Sequence, residues 1–339
     1  MRKLLNTIYI TSENMYLSLD GENLVCRDEE EKKFRIPFDN IENIVCFNYK
    51  GCSPALMGKC VSYNIPINFI TPQGKFLAKV CGETKGNVFL RVSQIDIFRE
   101  KYIELTRNSM IAKFSNTRQV IKRSLHDNKE LRDLACIRET LDVIESSIEK
   151  ISTERNIESI LGIEGYCAES YFSIFNYMLK NDNDIVFSRR SKRPPLDPVN
   201  ATLSLIYTLL TYECAAALET VGLDSYIGFY HKLRSGRTSL ACDLVEEFRC
   251  IAERFVITLF NLRIITQKDF KKEISGAVYL STEGRKKVLT KWQEKKRSVI
   301  QHSYLNQKIP IGLLPYVQSN LLAKFIRGDI EEYPPFLLK

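Results

Sequence analysis

Histidine is scarce in this chain: His126, His231 and His302 are the three present in 339 residues. His126 and His302 lie in polar stretches predicted to be exposed, and no role is assigned to them. His231 follows Gly228-Phe229-Tyr230 and precedes Lys232-Leu233-Arg234-Ser235-Gly236-Arg237. A histidine that leaves an apolar approach and enters a Gly- and Arg-rich loop stands at the edge of a cleft. Asp243, Glu246 and Glu247 fall on one predicted helix, where spacings of three and four residues place Asp243 beside both glutamates. Like charges so placed repel one another unless a basic side chain or a cation intervenes. Arg249 is one candidate, through a surface salt bridge, and a divalent metal is the other. Glu164 sits in the apolar run Ile160-Leu161-Gly162-Ile163-Glu164-Gly165. Burying a carboxylate there is costly unless it is paired or bound to a metal, and the flanking glycines allow close approach, here of a phosphate. One histidine and two carboxylates make an open site for Mn²⁺ or Mg²⁺. Imidazole suits Mn²⁺ better, whereas Mg²⁺ prefers oxygen ligands and keeps several waters. Such a cation binds a phosphoryl oxygen as Lewis acid and lowers the pKa of an attacking hydroxyl.

The elements that must position these groups divide the chain into an α+β two-domain arrangement. Residues 1–95 read as a small N-terminal β-rich domain. Thr7-Ile8-Tyr9-Ile10, Tyr16 to Leu19, Leu24-Val25-Cys26, Lys33 to Phe38, Ile41 to Phe47, Ile65 to Ile70 and Phe76 to Val80 have strand character, with Asp20-Gly21 and Thr71-Pro72-Gln73-Gly74 as turns. Ser53 with Pro54 after it starts a short helix running to about Tyr63. Residues 96–339 read as a larger all-α catalytic domain. Two or three helices are expected over residues 93–151, with breaks near Asn116 and at His126-Asp127-Asn128. Asn156 to Lys180 reads as helix interrupted by Gly162 and Gly165, Asn200 to Thr220 as a buried helix, and Leu240 to Leu262 as one long helix.

Composition narrows the class. At 44% hydrophobic and 27% charged residues the chain is globular. It has no run of 18 or more apolar residues, so no membrane span is expected, and Met1 to Asn6 lacks the apolar stretch of a secretory signal; the expected location is the cytoplasm. The ten cysteines include no CxxC pair and mostly lie in apolar segments, which excludes a zinc ribbon or thioredoxin-type motif and makes them buried hydrophobes in a reducing compartment. The net charge of +8 has the sign expected of a nucleic-acid binder without deciding the matter.

Three segments carry a resemblance. Gly162-Ile163-Glu164-Gly165, then Arg193-Pro194-Pro195-Leu196-Asp197-Pro198-Val199-Asn200, then the string from His231 through Arg234, Gly236, Arg237, Ser239-Leu240, Asp243-Leu244 and Glu246-Glu247-Phe248-Arg249, together resemble the CRISPR-associated integrase that inserts new spacers, the Cas-one family. Tyr16 to Gly21, Ser53 to Leu56 and Leu313-Leu314-Pro315-Tyr316 add to the likeness, which covers most of the chain. The N-terminal half resembles the variants of type I systems, subtype I-C in particular. Tyr166-Cys167-Ala168 departs from the family, in which small residues are common after the glutamate.

The resemblance implies a β-domain joined to an all-α catalytic domain, a homodimer built partly through the β-domains, and two such dimers flanking a dimer of the small partner, Cas-two, in a heterohexamer. It implies Glu164, His231 and Glu246 as metal ligands for Mg²⁺ or Mn²⁺, with Asp243 supporting catalysis and Glu247 left outside the site. The implied reaction is transesterification, in which the 3′-hydroxyl of a protospacer fragment attacks a phosphodiester at the CRISPR repeat; with water as nucleophile the same site is an endonuclease. Backbone contacts to this DNA are expected from Arg189, Arg190, Lys192 and Arg193 in the basic loop and from Arg234 and Arg237 beside His231. The tract Arg285 to Arg297 is either a second contact or a solvated face. Two other readings use the same residues: a metal-dependent phosphohydrolase of small nucleotides, and a non-catalytic DNA-binding scaffold.

Overall fold

The computed structural model describes residues 7–28, 33–71, 76–82, 88–180 and 185–338. The predicted strands form in order. β1 (Thr7–Ile10), β5 (Asn43–Cys46), β6 (Ile67–Ile70) and β7 (Phe76–Val80) make a mixed sheet in the order β1-β5-β6-β7. β2 (Tyr16–Asp20), β3 (Asn23–Arg27) and β4 (Lys33–Pro37) make an antiparallel meander, whose first turn is permitted by Gly21 at φ 58°. Helix α1 (Pro54–Ser62) begins where Ser53 Oγ accepts from the Leu56 amide at 3.2 Å. Pro72 to Gly74 of the expected turn, and Met1 to Asn6, lie outside the described residues.

The period-two alternation of β5 decides how the sheet is used. Ile44 and Cys46 join Leu17, Leu24, Leu56 and Cys60 in a core between the sheet, the meander and α1. Val45 and Phe47 face the other way and join the large helical core with Leu90 and Phe98. β1 is tied to the far end of the chain as well: Gln293 donates to the Thr7 carbonyl at 2.6 Å and Lys296 Nζ to Thr7 Oγ1 at 3.1 Å.

Helix α2 (Val88–Asp127) spans 40 residues, a rod of about 60 Å. It is unbroken at Asn116, because the side chain there does not compete for its own backbone: its amide donates to the Glu247 and Phe336 carbonyls and accepts from the Leu338 amide. The break expected after His126 is present. α3 (Ala135–Thr153) and α4 (Ile157–Ser173) follow. α4 runs through Gly162 and Gly165, so the expected interruption is absent; a Cβ at either glycine would meet nothing within 4 Å. The helix keeps its ladder and presents a bare face.

α5 (Pro198–Thr220) is capped by Asp197. By length and composition it passes for a membrane-crossing helix, yet Val199, Leu203, Ile206, Cys214 and Leu218 are all sealed in the helical core. The long helix expected from Leu240 is two helices, α6 (Ser239–Glu246) and α7 (Arg249–Asn261), separated at Glu247-Phe248. α8 (Thr282–Arg297) and α9 (Leu314–Arg327) complete the helices. The C-terminal part is mostly helical rather than all-α, for two short hairpins intervene: β8 (Phe270–Lys272) with β9 (Val278–Leu280), and β10 (Val299–Gln301) with β11 (Lys308–Pro310).

Two polar stretches depart from what composition predicts. His302, expected to be exposed, is fully buried, with Nε2 2.9 Å from Gln318 Oε1. The basic tract on α8 is amphipathic: Arg285, Trp292 and Lys296 turn inward, and Lys296 pairs with Glu213 at 2.8 Å.

Candidate metal centre

Asp243 on α6 organises the loop that carries His231. Its Oδ2 accepts the amides of Phe229 at 2.8 Å and Tyr230 at 3.1 Å, and its Oδ1 accepts the amide of His231 at 2.9 Å. Oδ1 also lies 2.7 Å from His231 Nδ1. A buried carboxylate beside a ring nitrogen makes Nδ1 the proton-bearing atom, which leaves the lone pair on Nε2. Nε2 faces Glu246, 4.0 Å from its Oε1. The loop reaches Asp243 this closely because residue 228 is glycine. A Cβ there would stand 2.5 Å from Asp243 Oδ2 and 2.9 Å from the backbone of Ser239.

Glu164 on α4 and Glu246 at the end of α6 close on one positive charge. Lys113 Nζ, from the middle of α2, lies 2.5 Å from Glu164 Oε1 and 2.7 Å from Glu246 Oε2. Arg249 Nε stands 2.8 Å from the same Glu246 oxygen, and its guanidinium lies over the Tyr207 ring at 4.7 Å. Burial pushes the Glu246 carboxyl up, but Arg249 and Lys113 outweigh it and hold the group well below the usual carboxylate range. Burial likewise pulls Lys113 down, and Glu246 and Glu164 more than restore it.

The donor set suits a divalent cation. Glu246 Oε2 is buried and, for all its ion pairs, has no aligned hydrogen bond. Two carboxylates already converge on a single charge, and the imidazole beside them presents its unprotonated nitrogen. Among the described residues no three His, Cys, Asp or Glu side chains stand at metal-ligand spacing; Lys113 occupies the space between Glu164 and Glu246. Mixed oxygen and imidazole donors favour Mn²⁺ over Mg²⁺.

The three acidic residues predicted to share one face of a helix go three ways. Asp243 serves the His231 loop and Glu246 faces Lys113. Glu247 turns away into the core, where its oxygens accept from Tyr333 Oη at 2.7 Å, the Phe336 amide at 2.7 Å and Gln318 Nε2 at 2.9 Å. Burial pushes this carboxyl up to about 7. Glu247 stands at the step between α6 and α7.

The predicted arginines divide by environment. Arg189, Arg193 and Arg234 are exposed and Arg237 is half-buried. Arg190 is engaged inside the fold: it donates to Asn200 Oδ1 at 2.6 Å and Ser204 Oγ at 3.3 Å and lies 5.4 Å over the Tyr207 ring.

The model of the family "CRISPR associated protein Cas1" matches residues 8–294. This chain belongs to the Cas1 family. It is 39% identical to CRISPR-associated endonuclease Cas1 2 of Rhodospirillum rubrum, with 100% of both chains covered. It is 40% identical to CRISPR-associated endonuclease Cas1 1 of Chlorobaculum tepidum, with 99% of both covered. Two solved structures share the fold: a casposase bound to integration product (TM-score 0.85, 22% identity, 97% of this chain and 92% of that one), and a Cas1 protein from Thermotoga maritima (TM-score 0.80, 21% identity, 95% and 97%). Membership makes the chain an enzyme, a CRISPR-associated DNA endonuclease of the spacer-acquisition class.

Two residues of this Cas1 site, Lys113 and Glu253, carry no mark in the sequence. Lys113 sits in a long helix with no Gly, Pro or histidine around it to single it out. Glu253 lies seven residues beyond Glu246 on a different helix, and its Oε1 accepts from Tyr207 Oη at 2.7 Å. Arg249, expected as a surface partner of the acidic residues, pairs with Glu246 as a half-buried wall of the site.

Proposed function

We propose that the chain joins protospacer DNA to the CRISPR repeat by metal-dependent transesterification, and cuts DNA when water replaces the 3′-hydroxyl. The carrying observation is the convergence of Glu164 and Glu246 on the Lys113 ammonium, with His231 Nε2 4.0 Å from Glu246. In this reading Glu164, His231 and Glu246 hold the metal, and Asp243 positions His231. Bound there, Mn²⁺ or Mg²⁺ supplies Lewis-acid stabilisation of phosphoryl oxygens and eases deprotonation of the attacking hydroxyl. The chain's own contribution is mainly placement. Asp243 fixes the imidazole tautomer, Arg249 offsets carboxylate charge from behind, and the bare face of α4 at Gly162 and Gly165 leaves room for a DNA strand beside Glu164. Arg189, Arg193, Arg234 and Arg237 receive backbone phosphates, with Arg190 bracing the loop that carries two of them.

We further assign a homodimer built partly through the β-rich residues 1–95, two of which flank a dimer of the small partner Cas2 in a cytoplasmic heterohexamer. The N-terminal resemblance supports subtype I-C. Two of the similar solved structures are Cas6-RT-Cas1–Cas2 complexes, which agrees with a Cas2 partner.

The test is a strand-joining assay with the purified chain, its Cas2 partner, a repeat plasmid and Mn²⁺ or Mg²⁺. His231→Ala abolishes joining and leaves duplex binding largely intact. Normal joining by Glu164→Ala would instead support a DNA-binding scaffold, and duplex binding that is absent or insensitive to salt would support a small-nucleotide phosphohydrolase.

A further inference from the structure

Lys113 fills the space between Glu164 and Glu246, the two carboxylates that would hold a cation. Its Nζ is 2.5 Å from one carboxylate and 2.7 Å from the other. An ammonium and a divalent cation at contact distance repel strongly even in a partly polar site, so the two do not share those oxygens. The backbone of α2 cannot yield, since Met110 and Phe114 are fully buried beside Lys113 and Asn116 is tied to the C-terminal tail. Relief has to come from rotation of the lysine side chain.

The structure offers a place for it. A cavity of about 70 Å³ is lined by Lys113, Glu164, Thr117, Tyr171, Arg249 and Glu253. The buried Glu253 carboxylate in this lining is held by neutral hydroxyls, those of Tyr207 and Tyr171. A buried carboxylate gains more from a charged partner than from neutral ones. A lysine stem of four methylenes is long and flexible enough to exchange one carboxylate for another from a fixed Cα.

We propose that Lys113 has two seats: between Glu164 and Glu246 in the metal-free chain, and in the cavity beside Glu253 once a divalent cation binds, so that it sets the affinity of the site by competing for the carboxylates. This rests on the metal reading above. In the first seat Lys113 holds the two glutamates together and keeps the site shaped. In the second it would pair with Glu253 on the wall shared with Arg249. Lys113 is thus a positioning residue, and Glu253 matters through Lys113.

Mn²⁺ titration by calorimetry without DNA tests this on the wild-type chain, Lys113→Met, Glu253→Gln and the double variant. Lys113→Met binds Mn²⁺ more tightly, on the order of tenfold, the factor that about 1.4 kcal/mol of removed competition represents. Glu253→Gln binds more weakly than wild type, and the same change added to Lys113→Met has no effect. Equal or weaker binding by Lys113→Met, with wild-type binding intact, overturns the two-seat inference and leaves the metal reading standing. A wild-type chain that binds no Mn²⁺ overturns both. Should Lys113→Met fail to fold, amine labelling of the wild-type chain read by mass spectrometry decides: labelling at Lys113 rises on Mn²⁺ saturation, and labelling that stays constant or falls overturns the inference.

Discussion

His231 Nδ1 lies 2.7 Å from Asp243 Oδ1, and the same carboxylate collects the backbone amides of Phe229, Tyr230 and His231. One side chain thus sets both the tautomer of the histidine and the path of the segment that presents it. In Asp243→Asn, half of those donors meet an NH₂ group instead of an oxygen. Loss of the outer partner of a metal-binding histidine weakens metal affinity by about 10–100-fold. Mn²⁺ calorimetry on Asp243→Asn is expected to fall in that range, with the melting temperature lowered as well. Wild-type affinity in the variant would separate Asp243 from the metal centre.

Gly228→Ala probes the same join from the other side. The added methyl stands 2.5 Å from Asp243 Oδ2 and 2.9 Å from the Ser239 backbone, and neither can retreat, the first being pinned by two amides and the second belonging to the start of α6. Overpacking of this kind costs about 1–3 kcal/mol. Denaturant unfolding should register that loss, and strand joining should fall further than stability alone explains, because His231 moves. An alanine variant with wild-type stability and joining would contradict the close approach.

Glu247→Ala removes an acceptor from the Tyr333 hydroxyl, the Phe336 amide and the Gln318 amide at once. Each buried donor left alone costs about 1–3 kcal/mol. The expected result is a large drop in melting temperature and early protease cleavage near the C-terminus, with Glu247→Gln intermediate. A variant as stable as wild type would show that the tail is not held by this carboxylate.

Arg190 and its neighbours should separate in two measurements. Arg190→Ala deletes the partners of Asn200 and Ser204, so its effect is a lower melting temperature. Arg234→Ala or Arg193→Ala should leave melting unchanged and reduce the slope of log affinity for duplex DNA against log salt by about 0.9 for each phosphate that is no longer neutralised. Unchanged melting in Arg190→Ala, together with a reduced slope, would move Arg190 to the DNA side.

The strands are legible because each either alternates at period two, as Lys33 to Phe38 does, or runs apolar, as Ile41 to Phe47 does. α1 is legible from Ser53 and Pro54 alone. The breaks are harder, since they depend on partners far away in sequence. Asn116 looks like an interruption and is not, because the C-terminal tail takes up its amide. Glu247 looks like part of a helix face and stands where α6 ends, its donors coming from α9 and the C-terminal tail. Within the site, Glu164, His231, Asp243 and Glu246 stand in the motifs that carry the family resemblance, while their spacing alone is only suggestive. Lys113 and Glu253 lie on unmarked helical surface, and what distinguishes them is the company that α2 and α7 acquire once packed.

Val45 and Phe47 lean on the helices, whereas Ile44 and Cys46 lean on the meander and α1. One strand therefore serves as a party wall between the two cores. A fragment ending before α2 would expose Val45, Phe47 and Ile70 to water and lose the tether from Thr7 to α8. The β-rich portion is accordingly no detachable module, and grafting it onto another helical body would require copying the neighbour's side of that wall too.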